Sequence, residues 1–389
     1  MAEVCDVAII SMSPAPYRLH VLRRIVREVP QARLHSIFTH AMDRATRHAW
    51  RMTIDPELNP VHFHRYALAS RPRVSTVSIP HYRAIRRYLV EHRVRLVILH
   101  GYADLTRILL IRWAKRAGVP LVLTSDSNVF AEGRVRGVKR WAKTRFMRWL
   151  IRSVSGFMPM GTCGRAYLRA YADHDKPVFL FPYEPDYAAL RNPDRAAVAA
   201  FAAKFKLSPQ RKRMLFCGRF VADKRLDVLI DAFVRIADQR PDWDLVLAGE
   251  GKLLEALQAR VPAALKHRVL FTGFLQFEET IPCYHNSDIL VLPSEYEPWA
   301  LVVNEAVACG LAVIATEVVG AAVDLVKHRT NGLLVPPRNV PAFAEAMLEA
   351  TQPDRLAAMK AAAPDALARW QAAADPVQGV AAAVRHFTS

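Results

Sequence analysis

The amino-acid sequence predicts an α/β protein made of two doubly wound, parallel-sheet domains. The chain has 389 residues, which is too long for one ordinary core and indicates two domains of roughly 150 to 200 residues each. Short apolar segments alternate with longer helical patterns, as in βαβ units. Many of these segments are apolar throughout, which favours strands that are covered on both faces.

The apolar segments predict strands in both halves of the chain. In the first half they are Val4–Ser11, Leu34–Thr39, Leu96–His100, Leu121–Thr124, Gly156–Met160 and Val178–Phe181. In the second half they are Met214–Cys217, Asp244–Ala248, Val269–Thr272, Ile289–Leu292, Ala312–Ala315 and Gly332–Val335.

The predicted domain boundary lies in a segment that is rich in Ala and Pro and then turns basic. We predict an N-terminal domain over residues 1–190, a linker over 191–210 and a second domain over 211–375. Residues 376–389 are predicted to form a helix that packs back on the N-terminal domain. Doubly wound sheets bind ligands at the carboxyl ends of their strands, so we expect the site in a cleft that both domains face.

The composition predicts a folded cytoplasmic protein. The longest apolar runs are shorter than the ~18 to 20 residues of a membrane-spanning helix, and the first residues lack the features of a signal peptide. The cysteines show no C-x-x-C spacing, which favours reduced, buried thiols over disulfides or a zinc site. They are Cys5, Cys163, Cys217, Cys283 and Cys309.

The net charge of +18 is concentrated in the first half of the chain. Residues 1–190 carry 31 Lys and Arg against 14 Asp and Glu, whereas residues 191–389 carry 23 against 22. This asymmetry indicates a polyanionic partner, which is an anionic lipid, a nucleic acid or a phosphorylated substrate. The alternative is a generally arginine-rich composition.

Glycine-containing turns follow three predicted strands of the second half. After the first strand come Gly218, Arg219 and Lys224, a turn that allows close backbone approach and supplies two cations for a diphosphate. The alternative is an ordinary turn with a solvated lysine. The next two strands are followed by Gly249-Glu250-Gly251 and Gly273-Phe274-Leu275. Three such strand ends together indicate one occupied crevice.

A fourth strand runs into the stretch SEYEPWALVVNEAVACG, residues 294–310. Pro298 is predicted at the first position of a helix, with Glu297 favouring its positive end. The backbone N–H groups at this helix start are predicted to bind a phosphate, and they belong to Trp299, Ala300, Leu301 and Val302. Glu305, two turns further, is placed to accept hydrogen bonds from a ribose diol. The alternative makes Glu297 a helix cap and Glu305 a solvated residue.

Residues 214–335 resemble the nucleotide-sugar domain of retaining glycosyltransferases of the GT-B fold, family four. The family's G-R-x(4)-K, G-E-G, G-F and E-x(7)-E motifs occur here in order and with matching spacing, the last ending in Ala306-Val307-Ala308-Cys309-Gly310. The first half matches only in its rhythm and in FPYEPDY, residues 181–187. The resemblance implies two Rossmann-like domains and transfer of a sugar from a nucleotide-diphosphate sugar with retention.

The resemblance also implies roles for the matched residues. Arg219 and Lys224 would hold the diphosphate and stabilise it as it leaves, without a bound metal or other cofactor. Glu297 would meet the hydroxyls of the sugar, and Glu305 would bind the ribose. The remaining donor contacts would come from Gly218, Gly249, Glu250, Gly273, Phe274, Leu275, Pro298, Trp299, Ala300, Leu301 and Val302.

The sequence departs from the family pattern in both halves. Trp299-Ala300 replaces the usual Phe-Gly, and Asp324 stands where the turn near the sugar usually has Glu.

In the first half, the loop from Ser13 to Arg18 replaces a glycine-rich loop. Ser13, Tyr17 and Arg18 are predicted on the acceptor side, with Arg18 alternatively on the donor phosphate. Asp126 follows a strand where the family usually has His, and His100 is the nearest histidine at a strand end. Both are predicted to be catalytic, although a lone histidine at such a position is often structural.

The segment Arg134–Arg152 holds eight Lys and Arg and no acid. A helical projection groups its Trp and Phe on one half and many of its cations on the other, as in helices that lie on anionic membranes. The predicted membrane contacts are Arg136, Arg140, Trp141 and Lys143. The alternative is a scaffold helix that buries its aromatic side chains against the first sheet.

The function predicted from the sequence is transfer of a UDP- or GDP-linked sugar to a hydroxyl of a glycan or a lipid-linked acceptor. The enzyme is expected to be cytoplasmic and peripheral on the inner face of the membrane, in polysaccharide or glycolipid synthesis. One alternative is a non-catalytic nucleotide-sugar-binding protein. A nucleic-acid-binding protein is a further alternative, but it leaves the motifs of the neutral half unexplained.

Overall fold

The computed structural model of the chain describes residues 4–39, 50, 53–63, 78–130, 137–171 and 175–388. The chain forms two compact units. The first contains Met1–Glu184 together with Ala374–Ser389, and the second contains Pro185–Ala373. The first unit therefore includes the C-terminal end of the chain, whereas the second is one continuous segment.

Each unit is built on a parallel sheet of six described strands. The strands of the first unit are β1 (Cys5–Ser11), β2 (Ala32–Phe38), β3 (Pro60–His62), β4 (Leu96–His100), β5 (Leu121–Ser125) and β6 (Gly156–Pro159). Those of the second are β7 (Lys212–Cys217), β8 (Trp243–Ala248), β9 (Val269–Gly273), β10 (Ile289–Leu292), β11 (Ala312–Thr316) and β12 (Gly332–Val335).

Both sheets have the same strand order. It is β3-β2-β1-β4-β5-β6 in the first unit and β12-β11-β10-β7-β8-β9 in the second. The order reverses between β1 and β4, and again between β7 and β10. In doubly wound sheets ligands bind beyond the carboxyl ends of the strands at such a reversal, so the loops after these four strands are where side chains for chemistry are expected.

Helices cover both faces of each sheet, and their apolar sides supply the cores. In chain order they are α1 (Pro16–Glu28), α2 (Ser78–Glu91), α3 (Leu105–Ala117), α4 (Gly137–Ser153), α5 (Thr162–Arg169), α6 (Tyr187–Arg191), α7 (Arg195–Lys204), α8 (Leu226–Ile236), α9 (Leu254–Arg260), α10 (Phe277–His285), α11 (Leu301–Ala308), α12 (Gly320–Leu325), α13 (Val340–Ala350), α14 (Pro353–Ala361), α15 (Ala363–Ala373) and α16 (Pro376–Thr388). Across the described ranges, none of them combines the length and the apolarity needed to cross a membrane.

The predicted strand Val178–Phe181 is wrong, and β3 was not predicted. Only Val178 forms an isolated bridge, to Phe157, because prolines at 177 and 182 flank the segment and cannot donate backbone hydrogen bonds. The segment still runs beside β6, since the Phe179 N–H donates to the carbonyl of Phe157 at 2.9 Å. The short β3 escapes prediction because three residues carry too little pattern.

The connection between the predicted domains is part of the second unit. Residues 191–210 were predicted as a linker, but they contain α7, which packs against α10. The C-terminal helix α16 belongs to the first unit and packs against α1. A Cβ at Gly379 of α16 would lie 2.0 Å from the carbonyl oxygen of Leu180, so glycine permits this close approach.

Candidate active site

The loops after β7 and β10 bring two predicted site residues together in the second unit. A one-turn 3-10 helix over Ala222–Lys224 follows β7, and the loop after β10 carries Glu297. Lys224 Nζ forms an ion pair with Glu297 Oε2, and both side chains are largely buried. Because β7 and β10 pair at the reversal of strand order, the pair lies where ligands bind in this fold.

The electrostatics of Lys224 suit it to bind an anion. Burial, together with the nearby charge of Arg219, lowers the pKa of Lys224 to about 8. Asp223 opposes this shift in the pKa, and the carboxylate of Glu297 also favours the ammonium form. Arg219 and Lys224 therefore place two cations close together at one strand end, which is the charge that a diphosphate requires.

A second ionic cluster fixes the loop after β10. Arg338 Nε and Nη2 donate to Glu295 at 2.7 and 2.8 Å, and Arg225 Nη1 donates to the same carboxylate at 3.1 Å. The backbone N–H of Glu295 donates to the carbonyl of Asp223 at 2.9 Å. Glu295 thus joins the loop that carries Lys224 to the loop that carries Glu297. None of these positions stood out in the sequence, since charged loop residues carry no spacing signal.

The glycine at position 249 is required for packing between two loops. A Cβ at Gly249 would lie 1.9 Å from the carbonyl oxygen of Gly218, so only glycine fits there. Glu250 is exposed, Phe274 is half-buried and Leu275 is buried. Nothing lies within 4 Å of a Cβ at Gly273, which leaves open space at the end of β9. The predicted donor contacts of these residues stay predictions.

The helix after β10 begins later than predicted. Pro298 was expected at its first position, but α11 begins at Leu301. The Trp299 carbonyl instead accepts a hydrogen bond from the Ala321 N–H at 2.7 Å, and the Trp299 ring packs on Trp370 at 5.2 Å between centroids. This arrangement requires a left-handed conformation at Ala300, with φ of 76°. Of the predicted N–H donors, Leu301 and Val302 are in the helix.

Glu305 lies in α11 and is held by a tyrosine that was not predicted. The Tyr284 hydroxyl, from α10, donates to Glu305 Oε2 at 2.6 Å. Glu305 is only 8% exposed to solvent. Burial raises its pKa to about 7, and the hydrogen bond from Tyr284 opposes that shift. The carboxylate is therefore buried and oriented, in contrast to the solvated residue of the alternative interpretation.

The predicted side chains of the first unit form one cluster at the ends of β1, β4 and β5. Arg18 Nη1 donates to the carbonyl of Ser13, which orders the loop after β1. The ring of Tyr17 packs on Tyr183 with centroids 4.8 Å apart. His100 Nε2 lies 3.4 Å from the Tyr183 hydroxyl. Tyr183 was not singled out in the sequence, although it lies within the FPYEPDY segment.

Burial perturbs the titratable groups of this cluster. It lowers the pKa of His100 well below its usual value, and the charges of Arg18 and Arg107 lower that pKa further. Burial raises the pKa of Asp126, while its backbone hydrogen bond and Arg18 oppose the shift. The pKa of Tyr183 is also well above its usual value, first through burial and then through Tyr17 and Asp126. Such shifts are common where side chains contact substrates.

Helix α4 combines features of both sequence interpretations. Its C-terminal half packs in the core through Met147, Leu150 and Ile151. Its first turns expose Val138 by 81% and Trp141 by 63%, with Arg140 also exposed.

Two predicted membrane contacts of this helix need comment. Lys143 is half-buried and lies 5.3 Å above the centre of the Tyr167 ring. Its ammonium is therefore engaged within the first unit. Arg136 lies outside the described residues.

Two family models match the chain, one in each half. The profile of a family described as Glycosyl transferases group 1 matches residues 211–352, and that of a Glycosyl transferase 4-like domain matches residues 15–184. Together the two matches include every site residue that the sequence predicted except the loop residue Ser13.

Individual relatives are similar over parts of their length. An uncharacterised glycosyltransferase of Methanocaldococcus jannaschii is 32% identical over 145 residues, which is 37% of either chain. The GDP-mannose-dependent alpha-(1-6)-phosphatidylinositol monomannoside mannosyltransferase of Mycobacterium tuberculosis is 29% identical over 291 residues, which is 71% of this chain and 72% of the relative. The matches span 37%, 61% and 59% of the first three curated relatives.

A solved structure shows the same fold. HepE of Anabaena, in complex with UDP and glucose, superposes with a TM-score of 0.73 at 16% identity and with 99% of each chain covered. At this identity the likeness is one of fold.

Proposed function

The chain belongs to the glycosyl transferases group 1, enzymes of the GT-B fold, and we propose that it transfers a sugar from a nucleotide-diphosphate sugar to an acceptor hydroxyl, with retention at the anomeric centre. The observation that carries this proposal is the Lys224–Glu297 ion pair at the ends of β7 and β10. It joins a cation for the diphosphate to a carboxylate for the sugar at the expected ligand position.

The proposed chemistry depends on charge that is already in place. As the bond between the sugar and the diphosphate breaks, negative charge grows on the leaving phosphate, and the cations of Arg219 and Lys224 stabilise it. Glu297 then accepts hydrogen bonds from hydroxyls of the sugar, and Glu305 accepts them from the ribose. Because two cations serve the diphosphate, we propose that no metal cofactor is needed.

We propose UDP or GDP as the nucleotide of the donor. The mycobacterial relative is named for GDP-mannose, and the Anabaena structure holds UDP. These names support testing both nucleotides.

The acceptor is assigned to the cluster of the first unit. Tyr17 and Tyr183 offer aromatic faces of the kind on which a sugar ring packs, and Arg18 offers a cation. The half-buried Asp126, whose pKa is raised, is the candidate to receive the proton of the attacking hydroxyl. We propose a glycan or a lipid-linked acceptor, in polysaccharide or glycolipid synthesis.

We further propose that the enzyme works in the cytoplasm, on the inner face of the membrane. The exposed Val138 and Trp141 at the start of α4 lie beside cations such as Arg140. Exposed apolar side chains with neighbouring cations bind anionic lipid surfaces. A lipid-linked acceptor would be reached at that surface.

Calorimetric titration of the purified chain with UDP, GDP and ADP, with magnesium and with EDTA, tests the donor site. We expect one nucleotide to bind with a clear preference and equally in both buffers. Absence of binding by all three would overturn the proposal. Incubation with the matching nucleotide sugars and a panel of acceptors then separates an enzyme from a non-catalytic binding protein, since only an enzyme releases the nucleotide in step with a glycosylated product.

A further inference from the structure

Two tyrosine hydroxyls hold adjacent side chains of α11 from two different helices. Tyr284 of α10 donates to Glu305 Oε2 at 2.6 Å. Asn304 Nδ2 donates to the hydroxyl of Tyr187 in α6 at 3.0 Å. The two tyrosines are matched in chemistry, but Tyr284 holds a carboxylate whereas Tyr187 holds an amide. This pair therefore offers an internal control for what the hydroxyl at Glu305 does.

Glu305 is buried, and the Tyr284 hydroxyl supplies a hydrogen bond in place of the water that its carboxylate has lost. Tyr284 is 0% exposed, so its hydroxyl is fixed by packing and is not exchanging with water. Within the described part of the chain, no cation pairs with Glu305, and the titratable groups that face it are Tyr284, Cys217 of β7 and Cys309 at the end of α11. The thiols are neutral, since burial raises the pKa of Cys217 to about 12 and also raises the pKa of Cys309 above its usual value.

A buried carboxylate without a cation is stable only if hydrogen bonds replace the lost water. A short bond from a hydroxyl to a carboxylate is one of the stronger kinds. Oε2 is occupied by this bond, and Oε1 has no hydrogen-bond partner among the described residues. One oxygen is thus held while the other remains for a ligand.

We propose that Tyr284 is a positioning residue for nucleotide recognition, because its hydroxyl fixes Glu305 so that the second carboxylate oxygen meets the hydroxyls of the ribose. This inference rests on the proposed nucleotide-sugar site. It adds a residue that contacts no substrate and acts through Glu305. Through Tyr284, α10 would then contribute to the preference of the site for a ribose over a deoxyribose.

The test compares a nucleoside diphosphate with its 2′-deoxy counterpart, using whichever of UDP, GDP and ADP the wild-type chain binds best. Tyr284→Phe removes one hydroxyl and keeps the ring. We expect it to weaken binding of the ribonucleotide by about tenfold at pH 7 and binding of the deoxynucleotide by less than about twofold. The ribose-to-deoxyribose preference should therefore fall by roughly the same tenfold factor.

Tyr187→Phe is the matched control. It removes the hydroxyl that holds Asn304, the neighbour of Glu305 in α11, and should leave both affinities within about twofold of the wild type. A pH series adds a second readout. Because burial raises the pKa of Glu305 to about 7, ribonucleotide affinity should fall as the pH drops below 7, and in Tyr284→Phe the fall should begin at a higher pH.

Several outcomes would overturn the proposal. They are an unchanged ribose preference in Tyr284→Phe, an equal loss for both nucleotides, or an equal effect of Tyr187→Phe. Should Tyr284→Phe fail to fold, Tyr284→Phe/Glu305→Ala is compared with Glu305→Ala alone, in which no side chain at position 305 is left for Tyr284 to hold. The proposal requires equal ribonucleotide affinities there, within about twofold, and a larger loss would overturn it. Failure of the wild type to bind any nucleotide would instead overturn the proposed function.

Discussion

Lys224 and Glu297 form an ion pair between the loops after β7 and β10. In the proposed reaction these two side chains have different ligands, which are a phosphate for the lysine and sugar hydroxyls for the glutamate. A bound donor must therefore replace the ion pair with new partners on both sides. Donor binding therefore depends on the charges of Lys224 and Glu297. Substituting each residue separately tests the site assignment.

Lys224→Ala should remove most of the stabilisation of the leaving diphosphate. We expect kcat/KM for sugar transfer to fall by roughly 10²- to 10³-fold, since one preorganised charge contact is lost in a buried site. Nucleoside diphosphate affinity should fall as well, because phosphate contacts exist in the ground state too. Steady-state kinetics and calorimetry measure the two effects. Lys266→Ala, at an exposed lysine of the same unit, should match the wild type in both.

Glu297→Gln should separate nucleotide binding from turnover. The amide cannot form the ion pair, so Lys224 becomes more available to a diphosphate, and affinity for the nucleoside diphosphate should be unchanged or higher. Sugar transfer should fall by at least about tenfold, since a charged acceptor of hydrogen bonds from the sugar is lost. Glu278→Gln, at an exposed glutamate, is the control. A variant with weaker nucleotide binding and normal turnover would contradict the assignment.

Nucleotide affinity should depend on pH through Lys224. Burial lowers the pKa of Lys224 to about 8, so the ammonium is present below pH 8 and is lost as the pH rises through that value. Since only the charged form attracts a diphosphate, affinity should fall by about tenfold between pH 7 and pH 9. Lys224→Arg keeps its charge over this range, so its affinity should not fall between pH 7 and pH 9. Equal slopes in the two proteins would show that another group titrates.

Eleven of the twelve described strands were predictable because each is an apolar run in a sheet that helices cover on both faces. The loops were predictable in position, since glycines and charged residues follow those runs. The path of the loop after β10 was not predictable. Pro298 looks like a helix start, but the hydrogen bond from Ala321 to Trp299 and the packing of Trp299 on Trp370 come from residues that are distant in sequence.

The residues that position other side chains in the candidate site, Tyr284 and Tyr183, could not be predicted from the sequence. Tyr284 lies in a helix whose sequence reads as ordinary core, and its hydroxyl matters only because α10 and α11 lie side by side. Tyr183 is similar, since its contacts with Tyr17 and His100 join three separate segments of the first unit. Sequence motifs identify residues at a fixed spacing along the chain, and the residues in these contacts have no such fixed spacing.

Membrane binding should depend on the first turns of α4. Val138 and Trp141 are 81% and 63% exposed, and burying such side chains in an interface with anionic lipid is favourable. Val138→Ser/Trp141→Ser should reduce co-sedimentation with vesicles of anionic phosphatidylglycerol by about tenfold or more. Val90→Ser, at a valine of α2 that is 57% exposed, is the control. Equal binding by all three proteins, or equal binding to neutral vesicles, would contradict the proposal.

Ala300→Gly should stabilise the second unit. Ala300 has φ of 76°, a region that costs an L-residue about 1 to 2 kcal/mol and costs glycine nothing. After the loss of chain entropy that glycine brings, the net gain should be about 0.5 to 1 kcal/mol. Urea unfolding should show a higher midpoint with an unchanged slope. A positive φ at this position would then explain why the family pattern usually has glycine where this chain has Ala300.

Ala306→Gly is the control for that measurement. Ala306 lies inside α11, is buried and does not have a positive φ, so glycine there should lower the free energy of unfolding by about 1 kcal/mol. The two substitutions are chemically identical and lie six positions apart, one just before α11 and the other inside it, yet the backbone predicts opposite signs. If both variants lose stability equally, the left-handed conformation at Ala300 is not a source of strain, and the start of α11 must be held in some other way.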